Sequence, residues 1–187
     1  LTTSIRRDGS SKFAPGKNIN YFPSVALAWK VEEEDFIKNL GWISQLKFKV
    51  GYGKTGNDRI PASARFDLLT SDNAFYYTDN GNSDYGQRPS STGANPDLVW
   101  ETTSQYNAGV DLALFNGKIS TAVEVYQKTT DDLLLLANKS PSVGISNVWL
   151  NSGSVENKGI ELSLNTVNVK TKNFQWTSDF NISFNQN

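Results

Sequence analysis

The feature that most constrains this sequence is a strict two-residue alternation of apolar and polar side chains. Tyr106, Ala108, Val110, Leu112 and Leu114 alternate with Gln105, Asn107, Gly109, Asp111 and Ala113. Successive side chains of a strand point to opposite faces, so this stretch builds one apolar and one polar face. Asn116-Gly117 follows, a dipeptide that tolerates positive φ and marks a tight hairpin. The chain returns with Ile119, Thr121, Val123 and Val125 on one face and Ser120, Glu124 and Tyr126 on the other. A second pair repeats the design: Ile160, Leu162 and Leu164, a polar turn near Lys170 to Asn173, then Phe174, Trp176, Phe180, Ile182 and Phe184. Soluble strands usually run about five or six residues, whereas a tilted membrane strand needs about nine to eleven. The last stretch alternates for the longer span.

The first half carries the same pattern with more noise. Leu46, Phe48, Val50 and Tyr52 alternate with Lys47, Lys49, Gly51 and Gly53, and Val25, Leu27 and Trp29 alternate with Ser24, Ala26 and Ala28 after Pro23. Leu1 to Arg6 reads as the tail of another strand. Between Val31 and Ile43 the period changes, with Glu32 to Asp35 in front, Phe36, Ile37 and Leu40 on one helical face, and Gly41 behind. That order predicts one or two helical turns within a connection.

Roughly seven strands result, joined alternately by short and long connections, as in a membrane β-barrel with short periplasmic turns and long outer loops. The short links fall at 31–43, at Asn116-Gly117 and near 170–173; the long polar loops fall at about 7–20, 54–99 and 129–157. In that orientation Trp29, Trp42, Phe115, Phe174 and Trp176 approach the periplasmic rim, and Phe22, Tyr52 and Phe184 the outer one. Two aromatic bands suit the two headgroup regions. Periodicity alone leaves a second solution, an extracellular soluble β-sandwich that binds carbohydrate or acts as an adhesin. The small, polar second face and a loop of some forty residues favour the barrel.

Composition removes several chemistries. The chain has no Cys, no His and no Met, and 18 basic residues against 19 acidic ones give a net charge of −1. Thiolate and imidazole nucleophiles or metal ligands are excluded, and the charge balance argues against nucleic acid as a partner. Asn, Ser and Thr supply 54 of the 187 residues, in keeping with polar loops and a watery face. The longest apolar run, Leu133 to Ala137, is far too short for a membrane helix. A start at Leu1 with no Met and no visible signal peptide is what an internal piece of a longer protein would show. Gly51 to Gly56 lacks the Walker spacing and a following helix, so no phosphate loop is read there.

Five motifs carry a resemblance. They are Asp8-Gly9-Ser10-Ser11-Lys12-Phe13; Phe22-Pro23-Ser24-Val25 with Ala28-Trp29; Tyr52-Gly53-Lys54-Thr55-Gly56-Asn57; Asn95-Pro96-Asp97-Leu98-Val99-Trp100-Glu101-Thr102-Thr103; and Asn151-Ser152-Gly153-Ser154-Val155-Glu156-Asn157-Lys158-Gly159-Ile160-Glu161. In this order, over about residues 6–187, the sequence resembles the barrel of SusC/RagA-type TonB-dependent outer-membrane transporters. The resemblance implies an all-β fold, an antiparallel transmembrane barrel segment of about seven strands from a plugged barrel of about 22. Residues 1–187 would then be part of one barrel domain, with the plug domain and signal peptide elsewhere in a longer chain. It also implies TonB-energised import of a large nutrient, a glycan or a peptide, beneath a SusD-like lipoprotein lid, with outer-membrane lipid around the wall. Neither a cofactor nor an enzymatic reaction is implied. Asp131-Asp132 and Glu32-Glu33 lie in connections, and nothing sets them facing each other as acid and base.

Substrate contact is expected from the outer loops. Phe75, Tyr76, Tyr77, Asp79, Asn80, Asn82, Asp84 and Tyr85 interleave rings with amides and carboxylates, which suits the apolar faces and hydroxyls of sugars. The plainer reading is a loop that folds on itself or touches the lid. Asp79, Asn80, Asn82 and Asp84 could supply oxygen ligands to Ca²⁺, though not at EF-hand spacing. Asn147, Trp149 and Asn151 form a second candidate, with loop packing as the alternative for Trp149.

Overall fold

The computed structural model describes residues 1–79, 82–140 and 144–187, with backbone alone at 72–79 and 82–85. Seven strands form one sheet, in the order β1 (Thr2–Gly9), β2 (Ile19–Lys30), β3 (Ile43–Asn57), β7 (Glu101–Leu114), β8 (Ile119–Asp131), β11 (Ser154–Lys170) and β12 (Gln175–Gln186). Every neighbouring pair is antiparallel. The wall strands therefore follow one another as a meander, which is the simplest way to build a barrel from hairpins.

The registers convert sequence alternation into continuous rows. Leu27, Val50, Ala108, Val125, Ile160 and Phe184 stand opposite one another across six strands, and Trp29, Phe48, Val110, Val123, Leu162 and Ile182 form the next row. These apolar residues are not covered: Val50 is 50% exposed, Tyr106 58% and Phe184 62%. A sandwich would bury such a face under a second sheet; among the described residues none does so. Along β7 the band runs from Tyr106 to Leu114. Eight steps of about 3.4 Å at a tilt of about 40° give a height near 21 Å, close to the apolar band of a bacterial barrel. Its upper limit is also marked by chemistry, since Tyr52 and Tyr106 pair with Gln127, Lys158 and Gln186 along one row.

The turn end matches the sequence reading. A single 3-10 turn at Val31–Glu33 and the one-turn helix α1 (Asp35–Lys38) fill the first link. Trp29, Trp42, Phe115, Phe174 and Trp176 are all about half exposed there, as a periplasmic aromatic band requires. The β7–β8 turn is more unusual than its Asn-Gly suggested. Phe115 joins Asn116 and Gly117 at positive φ, with values of 52°, 57° and 77°. A bulky residue seldom adopts this conformation. Here its N–H is taken by the Trp42 carbonyl at 2.8 Å, and the Asn116 N–H by Ser44 Oγ at 2.8 Å.

The loop end differs from expectation. The loops at about 54–99 and 129–157 are not plain polar coil: the first contains β4 (Leu69–Asp79), β5 (Asn82–Pro89) and β6 (Thr92–Gly93), and the second β9 (Leu134–Asn138) and β10 (Asn147–Asn151). β4 and β5 form a separate hairpin, while β6 pairs in parallel with β10, which pairs antiparallel with β9. Both loops thus share one small sheet.

Candidate functional site

The deepest burial lies in these loops rather than between wall strands. Phe13, Phe22, Ile60, Ala64, Leu98 and Trp100 form one buried cluster, with Leu134 and Trp149 packed against it. Phe13 and Leu98 are 1% exposed. Trp100 meets Phe13 with ring centroids 5.2 Å apart and Phe22 edge-on at 5.7 Å, geometries that suit aromatic quadrupoles. Phe22 was expected in the outer aromatic band. It shares a face with Ser24, Ala26 and Ala28 rather than with Val25 and Leu27, and is 3% exposed, so it serves the loop cluster. The β2–β3 ladder ends at Ser24 and Gly53, whereas β3 and β7 stay paired up to Asn57 and Glu101. Gly56 accommodates the Phe22 ring where the two ladders part, since a Cβ there would collide with the ring.

Polar side chains from the sequence motifs bind this cluster together. Ser10 Oγ donates to Asp58 Oδ2 at 2.8 Å, and Lys12 Nζ donates to the Asp58 carbonyl at 2.9 Å. Asn95 Nδ2 donates to the Trp149 carbonyl at 2.9 Å. Asn151 accepts the Val99 N–H through Oδ1 and donates through Nδ2 to the carbonyls of Val99 and Asp132, at 2.9, 2.9 and 2.8 Å. These amides satisfy backbone groups that loops cannot pair by ladder, which is the accounting a buried connection demands. Sequence reasoning assigned Asn57, Asn95 and Glu101 no role and read Asn151 only as a candidate substrate contact. Their signal was position: Asn57, Glu101 and Asn151 are motif amides or carboxylates at strand ends, and Asn95 opens a motif two residues after β6.

The proposed contact residues divide in two. In the β4–β5 hairpin Tyr76 stands opposite Tyr85, Tyr77 opposite Asp84, and Asp79 opposite Asn82, with Phe75 just beyond the regular register. The side chains of Phe75, Tyr76, Tyr77, Asp79, Asn82, Asp84 and Tyr85, and all of Asn80, lie outside the described residues, as does the calcium expectation. Asn147 and Trp149 sit in β10. Asn147 pairs with Asn138 and Thr92, and Trp149, opposite Leu136, lies against the loop cluster. Among the described residues no group of three acidic side chains is placed to hold a metal.

The second candidate surface is the polar face of the sheet. Lys49 Nζ meets Asp111 Oδ1 at 2.7 Å, and Glu124 and Glu161 continue the row beyond Gly109. Ser24, Lys49, Thr55, Gln105, Asn107 and Lys128 line a groove of about 580 Å³. Tyr126 lies over Gly159 and donates to Asn185 Oδ1, so a strand glycine is covered by a cross-strand ring. The face offers amides, hydroxyls and paired charges to water or a hydrophilic ligand, and no nucleophile–base pair is assembled on it.

A single antiparallel sheet with a bare apolar face, a polar reverse face, short turns at one end and structured loops at the other defines the wall of a transmembrane β-barrel. The family model described as TonB dependent receptor-like, beta-barrel, matches residues 1–187. The chain is 43% identical over 187 residues to a TonB-dependent receptor of Formosa agariphila, and 36% identical over 190 residues to the TonB-dependent receptor SusC of Bacteroides thetaiotaomicron. All of this chain is covered in both matches, but only 17% and 19% of those relatives. The RagAB peptide importer in its closed-closed state superposes with a TM-score of 0.86 at 33% identity, over 98% of this chain and 19% of that one. The siderophore receptor PirA of Pseudomonas aeruginosa shares the fold, with a TM-score of 0.55 at 14% identity. The chain belongs to the TonB-dependent receptor β-barrel family and forms part of an outer-membrane barrel wall. It spans under a fifth of the length of these SusC- and RagA-like relatives.

Proposed function

We propose that this wall belongs to a receptor importing a large nutrient across the outer membrane, energised by a TonB complex and capped by a SusD-like surface lipoprotein. Residues 1–187 are then part of one barrel domain, and the TonB complex acts through a plug domain rather than through this wall. No covalent step is assigned to the chain. The observation that carries the reading is the two-sidedness of the sheet: unbroken apolar rows toward lipid, and amides, hydroxyls and charges toward a wide interior. A passage for a hydrophilic cargo needs that separation.

The cargo favoured by the residues is a glycan, contacted by the rings and amides of the 75–85 hairpin, with Asn147 and Trp149 beside it. Likeness to the RagAB peptide importer supports a peptide as the second reading. Uptake of labelled oligosaccharide and of labelled peptide should be measured in the complete receptor carrying Tyr76→Ala, Tyr77→Ala and Tyr85→Ala together. Lower uptake of one cargo at normal outer-membrane levels supports the hairpin as its contact. Unchanged uptake of both would remove the hairpin from the pathway.

A further inference from the structure

The turn end carries a chemical asymmetry that import does not use. The turns at 115–118 and 171–174 flank β8 and β11, and the Val167 N–H donates to the Lys118 carbonyl at 2.8 Å just beyond the last paired rung. Lys118, Lys170 and Lys172 are thereby gathered at one end of the wall, all exposed. Among the described residues, no carboxylate or hydrogen-bond acceptor engages any of their ammonium groups.

Nearby acids are otherwise occupied. Glu32 accepts the Leu46 N–H at 3.1 Å, Glu34 accepts from Trp29 Nε1 at 3.0 Å, and Glu33 lies 3.7 Å from Lys38. These groups, with Asp35, belong to the β2–β3 link. Asp179 faces the interior and accepts from Asn165 Nδ2. Around the three lysines stand apolar side chains open to the surroundings: Phe115, Val169, Phe174 and Trp176 at 50, 37, 59 and 55% exposure. Val169 stands opposite Trp176, separated from the lipid-facing row of Leu164 and Phe180 by the polar rung of Thr166 and Ser178, so these rings lie at the rim beyond the apolar band.

We propose that these two turns form a binding surface for anionic phospholipid headgroups in the periplasmic leaflet of the outer membrane. The rings occupy the headgroup level, where amphipathic side chains settle. The ammonium groups meet phosphodiesters there, and each lysine near an anionic surface strengthens binding by about five-fold. A zwitterionic headgroup brings its own ammonium against the lysines, so phosphatidylglycerol is preferred over phosphatidylethanolamine. The surface rests on the membrane placement of the wall and is independent of what cargo passes.

The test uses the complete receptor in nanodiscs of phosphatidylethanolamine with a minor fraction of phosphatidylglycerol, with retained lipids counted by native mass spectrometry. The wild-type receptor should retain phosphatidylglycerol above its share of the disc. Lys118→Gln, Lys170→Gln and Lys172→Gln together should lower that enrichment by at least about five-fold, with the preference also shrinking as salt rises. The single change Lys128→Gln, at the loop end of the polar face, should leave it intact. Equal enrichment in wild type and triple variant would overturn the proposal, as would equal loss with Lys128→Gln. Insertion into the disc reports separately on the barrel, so lost preference with normal insertion bears on the lysines alone, and cargo uptake is not part of the readout.

Discussion

Asn57 and Glu101 stand opposite each other on the last paired rung of β3 and β7, where Asn57 Nδ2 donates to Glu101 Oε1 at 2.9 Å. The other carboxylate oxygen accepts the Leu134 N–H at 3.1 Å. One side chain therefore fastens two wall strands and the first residue of β9, at the point where the wall becomes loop. Hydrogen bonds to a carboxylate are about twice as strong as neutral ones, so this is a strong tie between segments far apart in sequence.

Glu101→Ala should loosen the 132–153 loop without dissolving the wall. Leaving the Leu134 N–H and the Asn57 amide unpartnered costs about 1–3 kcal/mol. Hydrogen exchange at residues 134–138 should accelerate by about five-fold or more, since each 1.4 kcal/mol is worth a factor of ten. Exchange at Leu134 equal to wild type would show that the carboxylate is not holding the loop.

The glycines should respond unequally to Ala. A Cβ on Gly51 lies 2.6 Å from Asn107 Oδ1, the far end of a side chain that can swing toward the interior. One on Gly159 meets the Phe184 carbonyl, a backbone atom, at 2.6 Å, and one on Gly56 drives into the buried Phe22 ring. Gly51→Ala should cost under about 1 kcal/mol, and Gly159→Ala and Gly56→Ala about 1–3 kcal/mol each. Thermal unfolding of the detergent-solubilised receptor, read as loss of the folded gel band, ranks them; Gly51→Ala as the most destabilising would contradict the packing described.

Trp100 is 8% exposed, and its indole N–H, though buried, has no partner among the described residues. Trp100→Phe removes that donor along with some volume, whereas Trp100→Ala removes the ring that joins Phe13 to Phe22. We expect Phe to cost under about 1.5 kcal/mol and Ala about 3–5 kcal/mol. Limited proteolysis of the loops in the folded receptor measures both. Equal sensitivity of the two variants would mean that the N–H, and not the ring, is what the cluster needs.

The wall was legible in the sequence because its physics is local. An alternating strand such as 106–114 declares its two faces within a few residues, and Asn116-Gly117 declares where it turns. The loop cluster was not legible, because what joins Phe13, Ile60, Leu98 and Trp149 is contact between residues dozens of positions apart. Phe22 shows the limit well: as an aromatic near a strand end it suits a membrane rim, and only its parity relative to Val25 sends it to the other side. Asn95 and Asn151 show another limit. A planar amide in an outer loop looks like a sugar contact, yet here both amides are spent on backbone carbonyls, a role that no short window of sequence displays.

The turn at 115–118 has a consequence for assembly. Side-chain orientation repeats every two residues, so slipping β8 by one position against β7 would turn Glu124 and its polar neighbours on β8 toward lipid. Three consecutive left-handed residues, tied to Trp42 of the preceding link and to Ser44 of β3, leave that hairpin a single way to close. Inside and outside are thus decided at the tightest bend, before the barrel exists as a closed object, and β11 and β12 copy that decision strand by strand.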